Sequence, residues 1–365
     1  MIKKKKILIA TGGTGGHVFP AYSLANFFMK NNYNVTLTTD TRGFKYLKNY
    51  GNLNLIKIFS TPLIKKNILK FLLSILTIVF SIFKSIFFLL INRPSIVFGM
   101  GGYSSFPICL AASILRINFV IYENNLFIGK ANKYLLPFAK KIFVSYKDLE
   151  GIPKKYKHKI IEIGNIVREE IINSRVEISE NNRFNDIKIL VLGGSQAAKV
   201  FADKLPKIFE TIKNSKMPIK VYQQCHNEQN NDLSKFYKEK KIEHEIFNFT
   251  DKIIDYYHKA NLVITRSGAS VLGELINVKI PFIAIPLPTS ADNHQQKNAA
   301  YFEKKGFGYV INEKDISDQL YDLIKSIFKN KSLIKKILSN QNQYSDKNIF
   351  QNINKHIEKI IDEKN

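Results

Sequence analysis

A strand, a glycine-rich turn and a helix, written twice along the chain, constrain its fold more than any other feature. Ile7 to Ala10 is a short apolar run that ends in TGGTGGH and passes into an apolar-periodic segment, Val18 to Met29. Ile187 to Leu192 ends in GGSQAAK and leads into an amphipathic segment carrying Phe201, Leu205, Ile208 and Ile212. Each is the opening unit of a doubly wound sheet. Further short apolar runs follow each unit: Val35 to Thr38, Ser95 to Phe98 and Phe119 to Tyr122, then Lys220 to Tyr222, Leu262 to Ile264 and Phe282 to Ile285. Strands alternating with helices predict an α/β protein of two Rossmann-like domains, each a doubly wound parallel sheet, facing across a cleft. The length of 365 residues agrees, being too great for one ordinary core. The expected boundaries are a first domain at 1–172, a linker at 173–186 where periodicity lapses, a second domain at 187–340, and a helical tail at 341–365 that packs back on the first domain.

Charge and cysteine content exclude less than they suggest. Lysine plus arginine outnumber the acids 55 to 30, a net +25 that attracts phosphate-rich partners. Lys, Asn, Ile and Phe are all abundant and Trp is absent, the skew of an AT-rich genome, so charge alone decides nothing. Cys109 and Cys225 stand far apart without a CxxC or Cys/His cluster, which points away from a disulfide framework or zinc site and toward a reducing, cytoplasmic setting. Four apolar residues before the first glycines are too few for the apolar region of a signal peptide, so the chain is expected not to be exported.

Residues 68–91, ILKFLLSILTIVFSIFKSIFFLLI, are the most hydrophobic part of the chain. Lys66, Lys70, Ser74, Thr77, Ser81 and Lys84 recur every three or four residues, a polar stripe on an otherwise apolar helix. The run from Phe71 to Phe83 would be only about 20 Å long against roughly 30 Å of hydrocarbon. A single span would also put the strand at Ser95 to Phe98 across the membrane from its sheet partners. A transmembrane helix is therefore rejected. A buried crossover helix is one alternative. The expectation is a helix partly packed and partly dipped into a membrane face, with Phe71, Ile75 and Phe83 in that face and Lys65, Lys66 and Lys70 toward anionic lipid at roughly 1 kcal/mol each.

The first turn has glycines at 12, 13, 15 and 16, which free backbone N–H groups to approach a phosphate at the start of the following helix. A dinucleotide fingerprint would need a further glycine where Val18 stands, and no Walker lysine follows. His17 is the distinctive addition, although a lone histidine is more often structural than catalytic.

TGGTGGH, FGMGGYSSFP, YENN, GNIVR, LGGSQAAK, RSGASVLGE and DNHQQKNA follow one another in this order between about Lys6 and Gly308. In this set the chain resembles glycosyltransferase family 28, the lipid-linked N-acetylglucosaminyltransferases of peptidoglycan synthesis. The resemblance implies a GT-B fold and inverting transfer of GlcNAc from UDP-GlcNAc to the 4-hydroxyl of MurNAc in undecaprenyl-pyrophosphoryl-MurNAc-pentapeptide. His17 would be the general base, its ordinary pKa near neutrality suiting a sugar hydroxyl. Arg168 with Ser195 and Gln196 would hold the donor diphosphate. Thr14, Gly15, Gly16 and Asn125 would also face the donor. Glu274 would accept the ribose hydroxyls from a helix that also presents Ala269, Ser270 and Val271. Gln295 and Gln296 would offer paired donors and acceptors to the sugar, and Phe249 and Thr250 would flank the uracil. Gly13, Gly101, Gly102 and Tyr103 would form the acceptor-diphosphate wall.

No cofactor or metal is implied, since arginine and amides replace a cation and no DxD pair is present. The implied setting is peripheral, on an anionic membrane surface at the cytoplasmic face of the inner membrane, in the service of cell shape and division. Nucleic acid is not a partner, and cell-wall synthesis proteins stay open. The chain departs from the family pattern in Asn124 for glutamine, Ile166 for proline, Ala197 for glycine and Val271 for threonine. The alternatives are a UDP-sugar transferase of the same fold acting on another lipid, a UDP-GlcNAc 2-epimerase, a nucleotide-binding oxidoreductase, which lacks the required glycine spacing, and a nucleic-acid binder resting on charge alone.

Overall fold

The computed structural model describes residues 4–13, 15–62, 67–174, 186–250 and 252–363, with backbone alone for 195–198. The chain divides into two compact units, Met1–Arg168 with Asp346–Asn365, and Glu169–Ser345. The first unit therefore closes at Arg168 rather than at 172, and Thr14, Lys65, Lys66 and the greater part of the expected linker, 175–185, lie outside the described residues.

The first sheet contains β1 (Lys6–Ala10), β2 (Asn34–Thr39), β3 (Asn54–Lys57), β4 (Ile96–Gly99), β5 (Phe119–Glu123), β6 (Lys141–Val144) and β7 (Ile160–Glu162). They are parallel in the order β3-β2-β1-β4-β5-β6-β7. β4 and β5 are buried throughout, which is why they are written as unbroken apolar runs rather than as alternating ones. Helices α1 (Gly15–Lys30), α2 (Thr41–Leu47), α3 (Ile68–Asn92), α4 (Gly102–Ile114) and α5 (Lys130–Leu135) connect the strands. The order reverses between β1 and β4, so the glycine turns that follow these two strands lie side by side, where doubly wound sheets take their ligands.

The second unit holds α6 (Glu169–Asn173), β8 (Ile187–Leu192), α7 (Gly194–Asn214), β9 (Ile219–Gln224), α8 (Asn230–Glu239), β10 (Glu243–Phe247), α9 (Ile253–Lys259), β11 (Leu262–Thr265), α10 (Ala269–Val278), β12 (Phe282–Ala284), α11 (His294–Lys304), β13 (Tyr309–Val310), α12 (Ile316–Lys329) and α13 (Lys331–Asn342). Its parallel sheet runs β10-β9-β8-β11-β12-β13, again with the opening strand beside the reversal. Phe201, Leu205, Phe209 and Ile212 of α7 join Ile189 and Val191 in its core. The tail divides between the units. α13 belongs to the second, while α14 (Ile349–Asp362) buries Ile353 and Ile357 in the first and stacks Phe350 on Phe27 at 5.2 Å.

α3 packs its serines inward and turns most of its apolar side chains outward. Its buried residues are Ser74, Ser81, Ser85 and Leu89, and it packs on α4, whose Ala111 and Ala112 are also buried. The serines tolerate burial because each hydroxyl donates back to its own helix, Ser74 to Phe71 at 2.7 Å and Ser85 to Ser81 at 2.7 Å. Ile68, Leu69, Leu72, Leu73, Leu76, Val79, Phe80, Phe83, Phe87, Leu90 and Ile91 are exposed. α3 is thus a crossover between β3 and β4, but not a buried one: 22% of its most apolar window lies inside the protein, and by length and composition it is long enough to cross a membrane. Of the three residues expected on the membrane face, Phe83 is exposed, whereas Phe71 and Ile75 are half-buried because they flank the serine stripe. The polar stripe also splits, since Lys84 is exposed over the Phe80 ring at 4.7 Å while the serines face inward.

Candidate active site

In the first unit, the turn after β1 is walled by α2 and α4. Gly12 has no room for a Cβ, which would collide with the Ser104 hydroxyl, and Gly13 has φ +86, a conformation that favours glycine. Asp40 closes the far side. It follows β2, is 4% exposed, and its Oδ1 accepts from Gly13 N at 3.0 Å and Gly43 N at 2.8 Å. Burial alone would raise its pKa. The N–H bonds from Gly43 and Gly13, the Tyr103 hydroxyl and the Arg42 guanidinium outweigh burial and hold it below the ordinary carboxylate range. Tyr103 donates to Asp40 Oδ2 at 3.0 Å, and burial followed by the Asp40 charge pushes its phenol up to about 12. An acidic residue after β2 is where a dinucleotide enzyme reads the ribose. Here that carboxylate is turned to backbone N–H groups instead.

His17 lies one turn into α1. Its Nδ1 is 3.0 Å from the Met100 carbonyl oxygen, which only accepts, so Nδ1 carries the proton and the neutral ring keeps its lone pair on Nε2. Thr11 Oγ1 bonds the His17 carbonyl at 2.9 Å and fixes the backbone beneath it. Met100 begins the second glycine turn, where Gly101 (φ +83) and Gly102 (φ +74) adopt positive φ against the imidazole. A Cβ on Gly101 would stand 3.5 Å from His17 Cε1. Thus Gly13, Gly101, Gly102, Tyr103 and His17 converge, while Gly15 and Gly16 open α1 beside them.

Glu123, buried at the end of β5, gathers the YENN loop. Its Oε1 accepts from Asn125 Nδ2 at 2.9 Å, and its Oε2 accepts from Gly129 N and Asn132 Nδ2, each at 2.9 Å. Asn125 therefore has its amide nitrogen turned toward the loop. Arg168, half-buried, stacks its guanidinium on the Phe19 ring of α1 at 5.7 Å. The replacement of proline by Ile166 has a structural answer: Ile166 N donates to the Tyr122 hydroxyl at 3.0 Å, a bond that proline cannot make.

In the second unit, Gly194 in the turn after β8 has φ +65, and among the described residues nothing lies within 4 Å of a Cβ placed on it. The Ser195 and Gln196 side chains lie outside the described atoms. Phe249 is 59% exposed, and Thr250 Oγ1 accepts from Lys252 N at 3.0 Å. Asn248 secures this loop through Nδ2, which donates to the Cys225 carbonyl at 2.9 Å. Ala269, Ser270, Val271 and Glu274 occupy the first turns of α10, with Ala269 buried and the other three half-buried. Tyr257, fully buried on α9, donates to Glu274 Oε2 at 2.8 Å and so fixes that carboxylate.

Gln295 and Gln296 follow one another in the first turn of α11. Adjacent helical residues point about 100° apart. Gln295 Oε1 accepts from Leu287 N at 3.0 Å, while Gln296 is exposed. Arg266, 6% exposed, is a buttress: it donates to the Ile285 and Pro286 carbonyls, pairs with Glu313 and covers the Phe201 ring. Among the described residues no three His, Cys, Asp or Glu side chains cluster as a metal site.

Sequence reasoning missed Asp40, Arg42 and Tyr257. An acid directly after the second strand was a usable signal for Asp40. Tyr257 gave none, being one aromatic among several on a short helix.

Two parallel doubly wound sheets, each opened by strand, glycine turn and helix, define the class of two-domain GT-B proteins. Models of the glycosyltransferase family 28 N-terminal and C-terminal domains match residues 7–144 and 188–357. The chain is 40% identical over 363 residues, 98% of its length and 99% of the other's, to the UDP-N-acetylglucosamine--N-acetylmuramyl-(pentapeptide) pyrophosphoryl-undecaprenol N-acetylglucosamine transferase of Pelagibacter ubique (strain HTCC1062). The protein of the same name from Rickettsia felis is 37% identical, with 90% of this chain and 92% of that one covered. Among solved structures, Acinetobacter baumannii MurG matches with a TM-score of 0.77 at 22% identity, covering 97% of this chain and 99% of that one. UDP-GlcNAc 2-epimerase from Neisseria meningitidis bound to UDP-GlcNAc matches at 0.67 and 15%, covering 97% and 100%, a likeness of fold alone. The chain belongs to glycosyltransferase family 28, and it is a hexosyltransferase.

Proposed function

We propose that this enzyme transfers GlcNAc from UDP-GlcNAc, with inversion, to the 4-hydroxyl of MurNAc in undecaprenyl-pyrophosphoryl-MurNAc-pentapeptide. The 40% identity to the Pelagibacter transferase over 98% of the chain carries the choice of substrates. The His17–Met100 hydrogen bond carries the mechanism. Nε2 of His17 takes the proton of the 4-hydroxyl as its oxygen attacks the anomeric carbon of GlcNAc. The bond from that carbon to the diphosphate breaks, and UDP leaves with the electron pair. Arg168 and the N–H groups that open α7 stabilise the charge that develops, so no metal is required. Glu274, fixed by Tyr257, receives the ribose hydroxyls, and Phe249 and Thr250 border the base.

We infer a peripheral enzyme on the cytoplasmic face of the inner membrane, a reading that the exposed apolar face of α3 supports. Its apolar side chains enter the interface, with Lys70 and Lys84 toward anionic headgroups. Exposed Ile114, Tyr134 and Phe138, on and after the neighbouring α4 and α5, extend this surface. The product feeds peptidoglycan synthesis and through it cell shape and division.

The test is a transfer assay with labelled UDP-GlcNAc, EDTA and a panel of lipid acceptors. Disaccharide should form on the lipid-linked MurNAc-pentapeptide in preference to other lipids. A product that needs a divalent ion overturns the mechanism, and preference for another lipid overturns the acceptor.

A further inference from the structure

Arg42 stands beside the acceptor turn, and no role has been given to it. It lies in the first turn of α2, and a Cβ on Gly13 would come within 3.3 Å of its Nη2. The guanidinium is held from two sides. It sits over the Tyr103 ring at 5.1 Å while Nη2 donates to the Tyr103 hydroxyl, and Nε reaches Asp40 Oδ2 at 3.5 Å. These bonds use two of the five N–H donors of an arginine. Its side chain is 52% exposed, whereas that of Asp40 is 5% exposed.

That asymmetry decides the sign of the local field. The Asp40 carboxylate faces inward and is met by Gly13 N, Gly43 N and Tyr103, so its charge is largely compensated inside the wall. The Arg42 cation faces outward, beside Gly13 and hydrogen-bonded to Tyr103, which directly follows the second glycine turn. A planar fork pre-oriented by stacking suits paired oxygens on a phosphate, which a lysine does not reproduce.

We propose that Arg42 is a binding residue for the diphosphate of the acceptor, positioned by Asp40 and Tyr103 at the mouth of the first glycine turn. This rests on the acceptor reading above. Transfer leaves the acceptor's diphosphate chemically unchanged, so the contact is equal in ground and transition states and acts on acceptor KM rather than on kcat.

The test compares Arg42→Ala and Arg42→Lys with the wild type on two acceptors, the lipid diphosphate and a MurNAc-pentapeptide glycoside with a neutral tail. Acceptor KM should rise roughly 10- to 100-fold in Arg42→Ala for the diphosphate, the range for a charged hydrogen bond, with neutral-acceptor KM and donor KM unchanged. Equal losses on both acceptors, or a rise in donor KM, make Arg42 a brace for Tyr103 and overturn the proposal. If the wild type glycosylates no MurNAc acceptor, the functional reading fails by itself. Arg42 is then judged by calorimetric titration with inorganic pyrophosphate at saturating UDP. Binding that is lost in Arg42→Ala supports it, and binding that is absent from the wild type or equal in both proteins overturns it.

Discussion

The turn after β1 is walled: Asp40 holds Gly13 from one side, Ser104 crowds Gly12, and the Gly101–Gly102 turn presses on His17. The turn after β8 is built from the same strand-to-helix unit, yet among the described residues a Cβ on Gly194 would meet nothing within 4 Å. The first turn has its polar side chains fixed before any ligand arrives. The second offers the N–H groups and dipole of a helix start. The proposed function accordingly assigns side-chain chemistry to the first turn and charge stabilisation to the second, and substitutions should separate the two.

The largest expected effect is at His17. His17→Ala should lower kcat by roughly 10²- to 10⁴-fold with little change in UDP affinity, measured by steady-state transfer and by UDP titration. A variant that keeps wild-type turnover removes the imidazole as base.

Asp40 comes next. Its lowered pKa means that the folded protein binds its proton less readily than the unfolded chain does. The stability it contributes is therefore full above the ordinary 3.8 and is lost as pH falls through its lower folded value. Asp40→Asn should cost about 1–3 kcal/mol in neutral denaturant melts, as for a buried charged acceptor, and should flatten the acid limb of the stability profile. Equal acid sensitivity in both proteins would show that Asp40 does not hold the wall.

α3 gives a second contrast, inside one helix. Ser81→Leu, on the packed face, should destabilise by about 1–3 kcal/mol through overpacking. Phe83→Ser with Phe87→Ser, at 66% and 68% exposure, should leave the melting temperature nearly unchanged while weakening sedimentation with anionic vesicles. Unchanged vesicle binding would remove the membrane role of that face.

The smallest effect is on the donor side. Tyr257→Phe deletes the hydrogen bond to Glu274 and should raise donor KM by a few-fold, up to about 10-fold, at unchanged kcat. No change would show that Glu274 holds its position without the phenol.

The central strands of both sheets were legible because they are short apolar runs and both glycine turns stand directly after such a run, whereas β3, β7 and β10 lie at sheet edges and mix polar with apolar residues, so no run marked them. α3 was legible as a helix with an apolar face, but not in which apolar residues stand outermost. A serine stripe satisfies its own hydroxyls along the helix and packs closely, and it draws the flanking Phe71 and Ile75 partly inward. At the site, His17 and the glycines announced themselves in sequence. The partners that orient them come from afar: Met100 to His17, Asp40 to Gly13, and Tyr257 to Glu274 across two helices.

Hydrogen exchange in the presence of UDP tests the division between the two turns most directly. Slowed exchange at the amides that open α7 and α10, with residues 11–13 and 100–103 unaffected, is the result that the account predicts. Protection of residues 11–13 by UDP, with the α7 amides unchanged, would contradict it.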